Sequence, residues 1–263
     1  MGILDGKVAI VLGASASGGS GAAIARRFAQ EGARLLVGAR SEGPLQDLAR
    51  ETGGLAMRCD VADEKDVAAF VAKAVDTYGR LDVAVNAAGL PMGGTIAHAP
   101  VDDARAAMDV NYFGCVHFIR HSAEAMKEGG SIILFSSMAA AQPMEFVYSY
   151  GCAKAATDCL VRYAAIEYGP KGIKVNSIQP GPIRSDMASG LWAVEGMEAT
   201  YAREIPLRRI GETADYADAA LWLAGPSFVS GLNLPVSGGN QLTRMPYLAE
   251  RPDMTGPDPT NAS

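Results

Sequence analysis

Short apolar, β-branched runs alternate with longer Ala-rich stretches of helical period along most of the chain. That alternation predicts repeated strand–helix–strand units around a parallel sheet. Residues 8–14 (VAIVLGA) read as a buried strand, and 22–31 as a helix with Ile24 and Phe28 on one face. Further strands are predicted at 33–38, 54–58, 82–86, 131–136 and 173–178, with an acidic, Ala-rich helical stretch after the second. Helices are predicted at 64–78, ending at Gly79, at 102–126, and at 150–168, ending at Gly169–Pro170. About seven strands with helices on both faces make a doubly wound α/β sheet in one domain.

Two segments break the rhythm. Residues 186–212 are punctuated by Gly190, Gly196, Pro206 and Gly211, with Trp192, Met197 and Tyr201 among them. They read as a lid over a pocket or as a packed connection. Beyond Arg244 the composition shifts to Pro, Asp, Thr and Asn, so the last ten or so residues are expected to fray unless a neighbouring subunit holds them. The domain is therefore taken as 1–243 and the tail as 244–263, and no repeat or linker marks a second domain.

Composition narrows the class. The 263 residues are 49% hydrophobic and 20% charged, which supplies a core and excludes a disordered chain. A formal net charge of −6 is the wrong sign for coating phosphate backbones, so no nucleic-acid partner is expected. Cys59, Cys115, Cys152 and Cys159 form no CxxC pair and read as reduced thiols of a cytoplasmic protein. No apolar run is long enough to span a bilayer, and Asp5–Gly6–Lys7 interrupts the place where a signal peptide needs its apolar stretch. No membrane partner is expected.

The first chemical signal is a glycine-rich turn. Gly13, Ser15, Gly19 and Gly21 follow the first strand and open the first helix, where backbone N–H groups and the positive end of the helix dipole suit a pyrophosphate. Five residues separate Gly13 from Gly19, against one in the simple dinucleotide fingerprint, so a different relative of that fold is indicated.

Together with this turn, Asp60–Val61, Asn86–Ala87–Ala88–Gly89, Asn111, Ser137, Tyr150-x3-Lys154 and Pro180–Gly181 stand in the order and rough spacing of the short-chain dehydrogenase/reductase family. From about residue 5 to residue 243 the chain resembles the branch of that family with chains of about 250 residues. With nine tyrosines, a lone Tyr-x3-Lys pair carries little weight; the conjunction carries it. The resemblance implies a single Rossmann-like domain, a nicotinamide dinucleotide, and hydride transfer to or from a small carbonyl or alcohol without a metal.

The catalytic set is then Asn111, Ser137, Tyr150 and Lys154. Tyr150 and Lys154 are i and i+4 on one helix face, and an ammonium beside a phenol favours the phenolate, so Tyr150 becomes the general acid/base. Ser137 has a hydroxyl able to hold the reacting oxygen. By resemblance, Asn111 holds a water in a proton relay with Lys154. Asp60 would bond the adenine amino group, with Val61 beside it, while Asn86, Ala87 and Gly89 line the adenosine side. Ile183 and Ser185, after Pro180–Gly181, stand where relatives bind the nicotinamide amide.

Cofactor choice turns on the end of the second strand. Ala39 occupies the position of the acid that would bond a ribose 2′-OH, and Arg40 follows, so NADP(H) is preferred and NAD(H) remains the alternative. Four departures from the family pattern stand out: a glycine loop two residues longer than usual, Leu12 for Thr, Ala87 for the second Asn of Asn-Asn-Ala-Gly, and Ser237 for Asp. His117 and His121, at i and i+4, have the spacing of a zinc pair but no evident third ligand, and no metal is expected. Arg203, Arg208 and Arg209 read as a charged lid base, or as a greeting for an acidic acyl carrier.

The sequence thus predicts an NADP(H)-preferring oxidoreductase that interconverts a partly hydrophobic secondary alcohol and its ketone. It is expected to assemble as a homotetramer through the helices at 102–126 and 150–168. The alternatives are a 3-oxoacyl-thioester reductase and a non-catalytic dinucleotide-sensing protein.

Overall fold

The computed structural model describes residues 2–252; the frayed end expected for the tail lies largely outside them. The elements run β1 (Val8–Leu12), α1 (Ser20–Gln30), β2 (Arg34–Ala39), α2 (Glu42–Thr52), β3 (Leu55–Arg58), α3 (Glu64–Tyr78) and β4 (Val83–Asn86). Next come α4 (Val101–Met108), α5 (Gly114–Ala125), β5 (Gly130–Phe135), α6 (Tyr148–Tyr168) and β6 (Ile173–Pro180). The chain closes with β7 (Ile183–Arg184), α7 (Ser189–Trp192), α8 (Met197–Glu204), β8 (Gly211–Glu212), α9 (Thr213–Ala224) and β9 (Asn233–Val236). Seven strands form one parallel sheet in the order β3-β2-β1-β4-β5-β6-β9, and β7 pairs with β8 in a separate two-stranded ribbon.

Alternation along each strand divides the core in two. Ala9 and Val11 of β1 face one way with Val37, Val85 and Ile133, and meet Ile24 and Phe28 of α1 and Tyr216 and Leu221 of α9. Val8, Ile10 and Leu12 face the other way with Leu36, Ala84 and Leu134, and meet Phe70 of α3, Phe118 of α5 and Val161 of α6. Burial on both faces explains the apolar runs of β1, β2, β4 and β5. No described helix is long and apolar enough to cross a membrane.

The predicted helix at 102–126 is continuous but not uniform, because a π-helical turn at Asp109–Phe113 joins α4 to α5. Residues 186–212, read as irregular, contain α7 and α8, with Met197, Tyr201, Ile205 and Ile210 forming their own small apolar cluster. The strand read at 8–14 ends at Leu12, and the Gly13 and Ala14 N–H groups both turn to the Gly38 carbonyl at 2.8 and 3.2 Å.

At the amino ends of the central strands, Asp82 ties the start of β1 to the start of β4. Its carboxylate accepts from the Val8 N–H at 3.0 Å, from Lys7 Nζ at 3.1 Å and from Arg80 through Nε at 2.8 Å and Nη2 at 2.7 Å. Burial alone would raise its pKa, but Arg80, the Val8 N–H and Lys7 together hold it below the ordinary carboxylate value. A depressed carboxyl stabilises the fold above its unfolded pKa and loses that contribution as pH falls through the folded one. Asp82→Asn is expected to lower unfolding free energy at pH 7 by about 2 kcal/mol. In urea titrations the gap to the parent should narrow as pH falls from 7 to below the ordinary carboxylate range; an equal gap in acid and at pH 7 would contradict the assignment.

Candidate active site

The strand order reverses between β1 and its neighbours β2 and β4, which opens a crevice beyond the carboxyl ends of β1 and β4. Gly13 makes the turn there with φ +87°, and a Cβ at this position would lie 2.4 Å from the Ala88 nitrogen. At Gly21 a Cβ would come within 2.4 Å of the Gly13 carbonyl oxygen, so the start of α1 is pressed onto the turn.

That helix is left open at its positive end. Gly19 caps α1 without any side-chain bond, and the first turn holds no acid. By contrast α3 is capped by Asp63, which accepts from the Lys65 N–H at 2.8 Å, with Glu64 and Asp66 in its first turn. An uncapped first turn without a carboxylate, floored by glycines, fits a dinucleotide pyrophosphate.

Two cavities of about 200 and 190 Å³ share the walls Gly13, Ala16 and Ala87–Gly89. The first is further lined by Gly19, Gly21, Ser137, Tyr150, Lys154, Pro180, Gly181, Ile183 and Ser185. The second is lined by Ser15, Arg40, Asp60 and Val61. Arg40 is exposed and forms no salt bridge among the described residues, while Asp60 Oδ1 accepts from the Ala62 N–H at 3.1 Å. Asn86 does not reach the cavity; it is buried beneath it, its Oδ1 accepting from the Ala88 N–H at 3.1 Å.

The reacting groups come from two adjoining elements. Ser137 follows β5, and its Oγ accepts from the Ala139 N–H at 3.1 Å, leaving its own proton to donate. Tyr150 lies in the first turn of α6, and Lys154 one turn later is 2% exposed. Lys154 Nζ donates to the Phe135 carbonyl at 2.6 Å and lies 5.6 Å from the centroid of the Tyr150 ring.

Asn111 sits in the π turn, behind Lys154. Its Oδ1 accepts from the Leu90 N–H at 3.1 Å, and its Nδ2 donates to the carbonyls of Leu90 and Ala107 at 3.0 and 2.9 Å. Its own carbonyl accepts from Thr157 Oγ1 at 2.6 Å and Cys115 Sγ at 3.2 Å. The side chain therefore fixes the loop at Gly89–Leu90, and a Cβ at Gly89 would meet Asn111 Oδ1 at 3.4 Å and Lys154 Nζ at 3.7 Å.

Reasoning from sequence missed Thr157, whose hydroxyl anchors the π turn, and the Phe135 carbonyl, which side-chain identity cannot reveal. It also missed the contact of the lengthened glycine loop with the segment after β7, where the Gly18 N–H donates to Asp186 Oδ2 at 2.9 Å. The thiols nearby are poor nucleophiles: burial pushes Cys59 up to about 12 and also raises Cys115. His121 Nε2 lies 3.4 Å from Glu64 Oε1, but Arg120 holds the same carboxylate. Among the described residues no group of three or more His, Cys, Asp or Glu side chains is arranged to hold a metal.

Comparison with known proteins agrees with this geometry. The family described as enoyl-(acyl carrier protein) reductase matches residues 13–241. A 7alpha-hydroxysteroid dehydrogenase of Escherichia coli is 39% identical over 245 residues, covering 90% of this chain and 94% of the relative. The chain belongs to the short-chain dehydrogenase/reductase family. An L-rhamnose 1-dehydrogenase (NAD(P)(+)) of a Sphingomonas species is 34% identical over 250 residues, covering 91% and 98% of the two chains. Among solved structures, a short-chain type dehydrogenase/reductase from Mycobacterium ulcerans superposes with a TM-score of 0.89 at 30% identity, covering 94% of each chain. The protein is an NAD(P)-dependent oxidoreductase of this family.

Gly13→Ala should combine left-handed strain with the clash at Ala88. It is expected to cost about 3 kcal/mol of stability and most of the affinity for NADPH, measured by melting and by fluorescence titration. Gly43→Ala, where a Cβ meets nothing within 4 Å, should change stability by less than about 1 kcal/mol.

Proposed function

We propose that the enzyme interconverts a partly hydrophobic secondary alcohol and its ketone with NADP(H), using Tyr150 as general acid/base, Ser137 to hold the reacting oxygen, and Lys154 and Asn111 in support. One observation carries this reading: Ser137, Tyr150 and the buried Lys154 line the same cavity as the glycine turn and residues 180–185.

The dinucleotide, when bound, supplies or accepts the hydride. In the reducing direction the carbonyl oxygen accepts hydrogen bonds from the Ser137 and Tyr150 hydroxyls, and Tyr150 gives up its proton as charge develops on that oxygen. Lys154, with one N–H bound to Phe135 and two to spare, steadies the phenolate that results. Asn111 fixes the Gly89–Leu90 loop beside Lys154 and, as the family resemblance implies, holds the water that returns a proton. Oxidation runs the same proton backwards.

The preference for NADP(H) is supported by Arg40, which lines the second cavity free of any ion pair among the described residues, and by Ala39 in place of an acid. A partly apolar substrate is supported by a further cavity of about 510 Å³ between residues 94–98 and 144–148, lined by Ile96, Ala97, Met144, Phe146 and Leu248 among others. Residues 186–212, which follow the cavity-lining Ile183 and Ser185, would act as a lid over the reacting cavity, within a catalytic domain of 1–243 followed by the tail.

A homotetramer is supported by the outer face of α6, where Cys152, Cys159, Tyr163 and Ile166 are exposed in a row of helical spacing. Four free cysteines suit a reducing, cytoplasmic setting.

Tyr150→Phe should lower turnover by at least about a thousandfold while NADPH still binds; a variant that keeps most of its activity would remove the role. Turnover is read by NADPH absorbance against a panel of cyclic, aromatic, steroid-like and acyl ketones. Fluorescence titration should give tighter binding of NADPH than of NADH, with the difference lost in Arg40→Ala; equal affinities in the parent enzyme would remove the cofactor assignment. Light scattering should give the mass of four chains.

A further inference from the structure

The segment that follows the last strand is bound back across the molecule at every step. At its root, Thr243 Oγ1 donates to the Glu204 carbonyl, Arg244 Nη2 pairs with Glu204 Oε1 at 3.1 Å, and Gln142 Nε2 donates to the Asn240 and Thr243 carbonyls at 2.8 and 3.2 Å. At its tip, Pro252 packs over Gly196, which caps the start of α8; a Cβ there would lie 3.3 Å from Pro252 Cγ.

Between root and tip lies a charge that a surface tail would not bury. Arg251 is 5% exposed. Its Nε and Nη2 donate to the Pro246 carbonyl at 3.1 and 2.7 Å, Nη2 lies 3.5 Å from Glu145 Oε2, and the guanidinium stands 5.7 Å from the centroid of the Tyr201 ring. Glu145 also accepts from the Leu248 N–H at 3.2 and 3.3 Å.

The two partners lead to different parts of the cleft: Glu145 lines the cavity of about 510 Å³ with Phe146 and Leu248, and Tyr201 leads to the reacting cavity. Glu145 belongs to the loop between Ser137 and Tyr150, next to Phe146, whose φ of +66° is strained for a bulky residue and whose carbonyl accepts from the Gly94 N–H at 2.7 Å. Tyr201 of α8 meets Trp192 edge-on at 5.4 Å, and Trp192 Nε1 donates to the carbonyl of Ile183, which lines the cavity, at 2.8 Å.

We infer that Arg251 is a positioning residue for the substrate, locking the 183–204 wall to the 142–146 wall through Tyr201 and Glu145. Residues 244–252 are then a strap that completes the substrate side, not a dispensable tail. The inference rests on the reading of the cleft as a carbonyl or alcohol site. Loss of the lock loosens contacts made equally with substrate and transition state, while the adenosine and phosphate contacts at the far end of the cleft stay in place.

The test uses the full-length enzyme in a Trp222→Phe background, so that Trp192 is the one tryptophan. Arg251→Ala should raise KM for a ketone reduced by the parent about tenfold, with kcat within about threefold and NADPH Kd within about twofold. Acrylamide quenching of Trp192 in the NADPH complex should increase in step. Glu145→Gln should move both readouts the same way, and the double variant should add less than the two single effects together. Arg251→Lys, which keeps the charge but loses the two-donor contact of Nε and Nη2 with the Pro246 carbonyl, should fall between and serves if Arg251→Ala folds poorly.

A lower melting temperature with unchanged KM and unchanged quenching would overturn the inference. So would a loss of NADPH affinity as large as the rise in KM. If the parent reduces no ketone, the reading of the cleft fails, while Trp192 quenching still decides whether Arg251 holds the wall.

Discussion

Lys154 is a cation removed from water and held by one short contact to the end of β5, and the relation between strand and helix at the site follows from it. An ammonium at that depth needs its protons placed, since an unpaired buried charge costs several kcal/mol. The Phe135 carbonyl takes one proton, and Ser136 Oγ, donating to the Lys154 carbonyl at 3.4 Å, ties the backbone of α6 to the same strand end. Ser137, one residue on, and Tyr150, one turn back, are carried to the same cavity by this junction. The π turn serves it from behind, for Thr157 on α6 reaches the Asn111 carbonyl and so joins α5 to α6 at the level of the lysine.

Two kinds of close approach shape the remainder of the cleft. At Gly13 and Gly21 backbone meets backbone with no space for a side chain, which sets the floor rigidly and independently of any ligand. At the other end the walls are held by polar contacts, Arg251 with the Glu145 carboxylate 106 positions away and the Trp192 indole with the Ile183 carbonyl. A rigid cofactor floor beside walls held by a few polar contacts is the arrangement by which one fold can serve many substrates.

Much of this was legible in the sequence. β1, β2, β4 and β5 announce themselves as apolar runs because both of their faces are buried, β3 and β6 are weaker runs recognised by their place in the rhythm, and α3 is bounded by Asp63 and Gly79, which cap it as their chemistry predicts. The seventh strand was not named, for β9 reads Asn-Leu-Pro-Val, carries a proline, and is only partly buried at the sheet edge. The π turn left no trace, since its residues suit an ordinary helix and the deviation depends on partners elsewhere in the chain, Thr157 among them. Ser137, Tyr150 and Lys154 were found by spacing and resemblance together. The depth of Lys154 and the carbonyl that receives it are tertiary facts. Arg251 had no local signal at all: its carboxylate partner stands 106 positions away.

The strand order also bears on how the molecule is made. β1 lies between β2 and β4, so the half of the sheet that forms the glycine-floored crevice is complete once residue 86 has been synthesised. From there each new strand pairs with its predecessor, β5 on β4, β6 on β5 and β9 on β6. Emergence from the ribosome and growth of the sheet edge thus proceed in the same direction, and the open edge awaiting its next neighbour is always the most recently translated one.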